Sequence, residues 1–152
     1  MRHARVLAVS ALATAVVVAA AAFAQTTLTP LPDNGPINTA SLEVDFSSID
    51  FASRTSVLGA AKIFEDLGVA AYNGAGQFLE SADFLLIAGK IVSVEARHAA
   101  AIRDLINPGS ADFAGDDIID ANGLERTLNF TEVLTAASTY VKTAIDFSQL
   151  PS

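Results

Sequence analysis

Mostly apolar residues at helical spacing fill the middle of this chain in two series, and the only break between the series is Glu80-Ser81. The first series comprises Leu58, Ala61, Glu65, Gly68, Tyr72, Ala75 and Leu79, and the second comprises Phe84, Ile87, Ile91, Val94, His98, Ala101 and Leu105. Such spacing places each series on one helix face. Ser81 is a suitable N-cap for the second helix, and Asn107-Pro108-Gly109 ends it. The pattern predicts an all-α fold built around a helical hairpin.

Three polar residues within these series are potential metal ligands. Glu65 belongs to the first, whereas Glu95 and His98 form a Glu-x-x-His pair in the second. Glu65 and Glu95 each lie 15 residues from Glu80, so an antiparallel hairpin turning there places both about 22 Å from the turn. Di-iron and di-manganese bundles take one Glu from each of two helices and Glu-x-x-His from each of two others. We therefore predict that Glu65, Glu95 and His98 face the core as half of a dinuclear metal site.

Other interpretations of these residues stay open. The two glutamates are alternatively ordinary solvated carboxylates, and a lone core histidine is more often hydrogen-bonded than metal-bound. Tyr72, two turns after Glu65, is a candidate hydrogen-bond donor or redox-active neighbour of the site, although such a tyrosine more often only packs. Asn73-Gly74 is a point at which the first helix would end early or kink.

The first 24 residues have the pattern of a secretory signal peptide. A basic start at residues 1–5 precedes an apolar run at residues 6–22, and Ala22-Phe23-Ala24 fits a small-x-small cleavage site. We predict cleavage before Gln25, a periplasmic or secreted protein, and no stable membrane anchor after cleavage. The alternative is a retained transmembrane segment.

Charge and cysteine content limit the partners of the exported chain. Loss of Arg2 and Arg5 leaves seven basic against 17 acidic residues, a net charge of −10. This charge disfavours binding to nucleic acid or anionic lipid and favours metal cations. The chain contains no cysteine, so its stability comes from a packed core rather than from disulfides.

Four segments follow from these patterns: a signal peptide at 1–24, an extended linker rich in turn-forming residues at 25–50, the hairpin at 51–107, and an acidic loop with a short C-terminal helix at 108–152. The loop acids lack the spacing of a calcium loop, which favours a solvated acidic loop. They are Asp112, Asp116, Asp117 and Asp120. The short helix begins near Thr131-Glu132 and packs across the hairpin. Its apolar side comprises Leu134, Ala137, Val141 and Ile145.

Two segments of the chain resemble a ferritin-like family. They are residues 64–75, which contain Glu65 and Tyr72, and residues 94–103, which contain Glu95 and His98. That family includes bacterial exported proteins and plant desiccation-related proteins. The resemblance covers the second helical hairpin only, from residue 51 to about 107, with a looser likeness in the tail. It implies a ferritin-like bundle with Glu65, Glu95 and His98 at ligand positions. Family members normally carry an earlier hairpin with its own ligands, which we expect this chain to lack.

Three interpretations account for the missing hairpin. Two copies form a homodimer in which two hairpins rebuild the bundle and share one site. Alternatively, the chain is a metal-free structural or desiccation-related stress protein, or it is a truncated remnant of a full ferritin-like domain. If metal binds, the expected chemistry is metal oxidation or redox protection at a di-iron or di-manganese centre. The residues do not discriminate iron from manganese, and they leave open whether the protein is an enzyme.

Overall fold

A computed structural model describes residues 43–145, and within this range the chain is all-α. Its three α-helices are α1, Arg54–Ala75, α2, Ala82–Ile106, and α3, Phe130–Ala137. Strand-like pairing in the described range is confined to two isolated bridges. The predicted fold class is therefore confirmed. The signal peptide predicted at 1–24 and residues 25–42 of the predicted linker lie outside the described residues. No helix within 43–145 is long and apolar enough to cross a membrane.

Helix α1 runs without a break through the Asn73-Gly74 pair and continues as a 3-10 turn at Gly76–Phe78. Gly74 has a packing role there. A Cβ at this position would overlap the carbonyl oxygen of Leu128, whose backbone N–H donates to the Ala70 carbonyl at 3.1 Å. The helix does not end at Gly74, because this glycine admits a neighbouring backbone while keeping its helical conformation.

Helix α2 begins and ends where its capping residues predict. The Ser81 hydroxyl accepts a hydrogen bond from the Phe84 N–H at 3.4 Å, and Asp83 lies in the first turn. The helix stops at Ile106, before Pro108 and the left-handed Gly109 at φ 76°. Together α1 and α2 form the predicted hairpin.

Helix α3 starts one residue earlier than predicted, because Asn129 caps it. The Asn129 side chain accepts from the Glu132 N–H at 2.9 Å, and the Glu132 carboxylate accepts from the Asn129 N–H at 2.8 Å. This reciprocal pair is a capping box. The buried side of α3 packs on Leu67 and Ala71 of α1, so α3 covers α1 rather than crossing the hairpin. That buried side comprises Val133, Leu134 and Ala137, with Val141 and Ile145 beyond the helix end packed beside them.

A second apolar cluster covers the first half of α1. Phe64 contacts Tyr140 with 4.6 Å between ring centroids, and Phe46 meets Phe64 edge-on. The backbone N–H of Asp45 donates to the Tyr140 carbonyl at 2.9 Å. The segment before α1 and the segment after α3 therefore pack together against α1. This helix is surrounded on several sides, and every residue from Phe64 to Ala71 is buried.

Among residues 43–145, helix α2, in contrast, is covered mainly on one side. Its buried residues are Ala88, Ala99 and Arg103. The predicted core series of α2 instead lies about 100° around the helix from these residues. We call this series the outer stripe: Phe84, Ile87, Ile91, Val94, His98, Ala101 and Leu105. Its large members are half-buried or exposed. The prediction that this stripe faces the core of the described chain is wrong. Two adjacent faces of α2 are apolar, and α1 contacts the face that carries Ala88 and Ala99 instead of the outer stripe.

Candidate metal centre

The hairpin brings Glu65, Glu95 and His98 together. One potential ligand atom from each residue lies within 4.8 Å of the other two. The His98 Nδ1 atom is 3.3 Å from Glu95 Oε2 and 3.5 Å from Glu65 Oε1. The Glu95–His98 contact joins positions i and i+3 on one helix, whereas Glu65 comes from the other helix. The equal spacing of the two glutamates from Glu80 therefore produces the expected convergence.

The three side chains differ strongly in burial. Glu65 is 3 % exposed, Glu95 is partly buried, and the His98 side chain is 53 % exposed. The expectation that the Glu-x-x-His pair faces the core is wrong for His98, because this residue belongs to the outer stripe. The Glu65 carboxyl therefore forms the buried side of the cluster, and the His98 imidazole forms its solvent-exposed side.

Glu65 carries an unusual protonation state. The pKa of Glu65 is raised from 4.5 to about 9, mainly by burial. The hydrogen bond and negative charge of Glu95 and the charge of Asp66 raise it further. Without a cation, Glu65 therefore keeps its proton at neutral pH. Because the unfolded chain releases that proton above pH 4.5, Glu65 lowers the stability of the fold increasingly as the pH rises towards 9. A bound cation would replace the proton.

These donors fit a divalent transition metal. Carboxylate oxygens and imidazole nitrogens bind such ions at about 2.0–2.2 Å, which separates neighbouring ligand atoms by about 3–4 Å. The observed spacing is close to that range. The Glu65 Oε2 atom is also buried without a hydrogen-bond partner, and such an atom is unfavourable unless a donor or cation satisfies it. Glu65, Glu95 and His98 are therefore the residues that could hold a metal.

Tyr72 lies near this cluster on α1. Its side chain is half-buried. Burial, followed by the negative charge of Glu95, raises the pKa of the Tyr72 phenol. The charge of Glu95 therefore acts on the Tyr72 phenol.

A buried ion pair, which the sequence patterns did not predict, lies next to the cluster. Arg103 donates two hydrogen bonds to the Asp66 carboxylate, at 2.7 and 2.8 Å, and one to Asp117 at 3.2 Å. Burial alone would lower the pKa of Arg103, but the hydrogen bonds and charges of Asp66 and Asp117 together outweigh it and raise that pKa. Asp66 directly follows Glu65 in α1, so the ion pair ties the two helices together beside the candidate ligands.

The spacing rule that found Glu65 and Glu95 could not find this pair. Arg103 is 23 residues and Asp66 is 14 residues from Glu80, which separates their levels by roughly 13 Å along the hairpin. The gap closes because the long Arg103 side chain leans towards the start of α2 while Asp66 leans towards the start of α1. The available signal was that Arg103 lies outside the row of charged residues on α2, which comprises Asp83, Lys90, Arg97 and Asp104.

The loop acids are used individually rather than as a cluster. Asp117 accepts from Lys62 at 2.8 Å as well as from Arg103. Asp120 accepts from the backbone N–H groups of Asn122 and Leu124, which forms a tight turn. Asp117 is therefore an ion-pair partner of the hairpin rather than a merely solvated acid. Across residues 43–145, the group with metal-ligand convergence is Glu65, Glu95 and His98.

The family model for the ferritin-like domain matches residues 4–108 of the chain. This span contains α1, α2 and all three candidate ligands, and it also takes in most of the segment that the sequence analysis divides into leader and linker. No curated protein and no solved structure matches the chain.

Proposed function

Because this chain belongs to the ferritin-like domain family, we propose that it is an exported ferritin-like protein that binds iron or manganese through Glu65, Glu95 and His98. The observation that carries the proposal is the buried carboxyl of Glu65, which meets the Glu-x-x-His pair of the next helix. Carboxylate and imidazole donors suit both metals. When bound, iron or manganese would supply the redox chemistry for metal oxidation or protection against oxidants.

The residues of the cluster would have distinct roles. Glu65 and Glu95 bring negative charge that offsets the charge of the cation, and His98 adds a neutral nitrogen donor. Because His98 is 53 % exposed and its Nδ1 atom lies 3.5 Å from Glu65 Oε1, a cation would first meet the cluster at His98. Tyr72 is proposed as a neighbour that donates a hydrogen bond or undergoes oxidation itself. The net charge of −10 after leader removal would favour accumulation of cations near the protein.

Anaerobic titration with ferrous iron tests this proposal. We expect saturation near about one iron per chain, which is two per homodimer. His98→Ala should weaken iron binding about 10-fold or more. Loss of a residue that only hydrogen-bonds to a metal ligand already weakens binding about 10-fold, and loss of a ligand itself should have at least this effect. Calorimetry or equilibrium dialysis measures both quantities.

Two comparisons make the titration specific. Glu95→Gln should weaken binding, whereas Glu80→Gln, which removes one negative charge at the exposed turn, should leave it unchanged. Titration at neutral pH in buffers of different ionisation enthalpy should also reveal proton release, because Glu65 holds a proton before metal arrives. Iron binding that both His98→Ala and Glu95→Gln leave unchanged would show that iron does not bind at this cluster, and a structural role for the cluster would then be favoured.

The metal-free structural or desiccation-related stress protein is the second candidate function. One observation favours it: a proton on Glu65 lets the two carboxyls hydrogen-bond to each other, so the two glutamates can lie side by side without a cation. The same titration separates the two functions, since a structural protein needs no saturable site for iron or manganese.

Export is part of the proposal, and it predicts Gln25 as the N-terminus of the accumulated protein. The basis is the small-x-small pattern that ends at Ala24. Intact mass of the protein recovered from the cell envelope or the medium identifies the N-terminus. The family match begins at residue 4, so the competing outcome is a mature domain that keeps residues 4–24. A mass that includes these residues would contradict the cleavage prediction.

A further inference from the structure

The outer stripe of α2 is a continuous apolar surface that α1 leaves uncovered. Ile87 is 51 % exposed, and Phe84 and Leu105 at the two ends of the stripe are exposed to a similar degree. His98 is the polar member of the stripe, so the uncovered surface runs directly past the candidate metal cluster. A patch of this kind usually marks a contact surface.

We propose that a second copy of this chain docks on the outer stripe, and that the two clusters combine there into one dinuclear metal centre. The inference rests on the proposed metal binding and names the partner that completes the site. The first argument is the number of ligands. A dinuclear centre of this class uses four carboxylates and two imidazoles, whereas the cluster provides two carboxylates and one imidazole.

The rest of the chain lacks a second Glu-x-x-His pair, and its one other histidine, His3, belongs to the predicted signal peptide. Residues 4–42, which the family match includes but the structure does not describe, contain Asp33 and no glutamate or histidine. Residues 146–152 contain Asp146 and likewise neither glutamate nor histidine. A second copy brings one more Glu and one more Glu-x-x-His, the set that is lacking. The ligand chemistry therefore selects a second copy over a segment of the same chain.

The position of the cluster within the stripe is the second argument. The midpoint between Phe84 and Leu105 falls between Val94 and Glu95. Antiparallel pairing of two α2 helices about a two-fold axis at this midpoint would place Phe84 opposite the partner subunit's Leu105. Along the helix, Glu95 then lies within about 1 Å of the axis and His98 about 5 Å from it. The symmetry that matches the two apolar stripes would therefore also bring the two half-sites together.

The charged residues of α2 fit the edge of such an interface. Asp83, Lys90, Arg97 and Asp104 are all exposed. Their seven-residue spacing places them in one row along the helix, on the side of the stripe that faces away from α1. An apolar centre with a charged, solvated edge is typical of protein interfaces. The row would remain in contact with water when the stripe is covered.

The test compares Ile87→Asp with Leu86→Asp. Leu86 is adjacent, is 59 % exposed, and points about 100° away from Ile87. Light scattering should show a dimer for the wild type and for Leu86→Asp, and a monomer for Ile87→Asp. The monomeric variant should bind ferrous iron about 10-fold or more weakly, because it lacks the ligands of the second half-site. Manganese-loaded wild type should give the paramagnetic resonance spectrum of an exchange-coupled pair, and Ile87→Asp that of an isolated ion.

Other outcomes have separate meanings. A wild-type monomer that binds metal overturns the shared centre and leaves the proposed function standing. A dimer that binds no iron or manganese overturns the proposed function and the shared centre with it. A wild-type monomer whose melting temperature falls with Ile87→Asp would overturn the homodimer, because the stripe would then be covered within a single chain. If Ile87→Asp does not fold, the wild type decides the question, since the melting temperature of a dimer rises with protein concentration and that of a monomer does not.

Discussion

Replacing Arg103 by Met is expected to lower the free energy of unfolding by about 3–5 kcal/mol. The substitution leaves the Asp66 carboxylate, which is 9 % exposed, without the guanidinium that accounts for both of its side-chain hydrogen bonds. A buried charge without a partner is strongly unfavourable, and methionine fills the space without replacing the charge. Asp117 is affected less, because Lys62 still binds it at 2.8 Å. Urea unfolding measures the change.

The double variant Asp66→Leu/Arg103→Met is the matched control. A buried ion pair that is replaced as a whole by apolar side chains is often neutral or even stabilising, so the double variant should recover most of the lost stability. Arg103→Lys should fall in between, because an ammonium keeps the charge but not the two-pronged contact. Equal destabilisation by the single and double variants would show that the ion pair itself is not the cause.

Gly74→Ala is expected to lower the free energy of unfolding by about 3 kcal/mol, at the upper end of the effects of overpacking. The added methyl group would overlap the carbonyl oxygen of Leu128 and come within 2.9 Å of its carbonyl carbon. These are backbone atoms, so the strain cannot be relieved by rotating a side chain. Moving the segment away would break the hydrogen bonds from Leu128 to Ala70 and from the Asn73 amide to Arg126. Thermal and urea unfolding both measure the effect.

Gly59→Ala, in the same helix, is the control for Gly74→Ala. A Cβ at Gly59 meets nothing within 4 Å, and alanine is favoured over glycine inside a helix by about 1 kcal/mol. Gly59→Ala should therefore leave stability unchanged or raise it. If Gly74→Ala behaves like Gly59→Ala, the segment around Leu128 does not pack closely on α1 in solution.

Local signals account for the parts of the fold that were predicted correctly. The Ser81 cap, the end of α2 at Asn107 and the helical spacing of both series depend on residues within one or two turns of each other. The convergence of Glu65 with Glu95 follows from these helices and from their equal distances to the turn. The family match over residues 4–108 agrees with the motifs around these two residues.

Several features depended on contacts that no local pattern describes. Both the outer stripe and the side of α2 that carries Ala88 and Ala99 are apolar, and only the position of α1 selects between them. That selection leaves His98 exposed while Glu65 is buried. Gly74 is similar, since its role depends on Leu128, which returns to α1 from a distant part of the chain.

The sequence by itself determined the hairpin, its caps and the set of three candidate ligands, because helix periodicity, capping and antiparallel spacing are properties of neighbouring residues. Only the tertiary structure decided which ligand is buried, which face of α2 meets α1, and how Asp66 and Arg103 pair across 37 residues. The physical reason is that burial and ion pairing depend on which distant segments cover a side chain. Within the part of the chain that the structure describes, α1 is covered from several directions and α2 mainly from one.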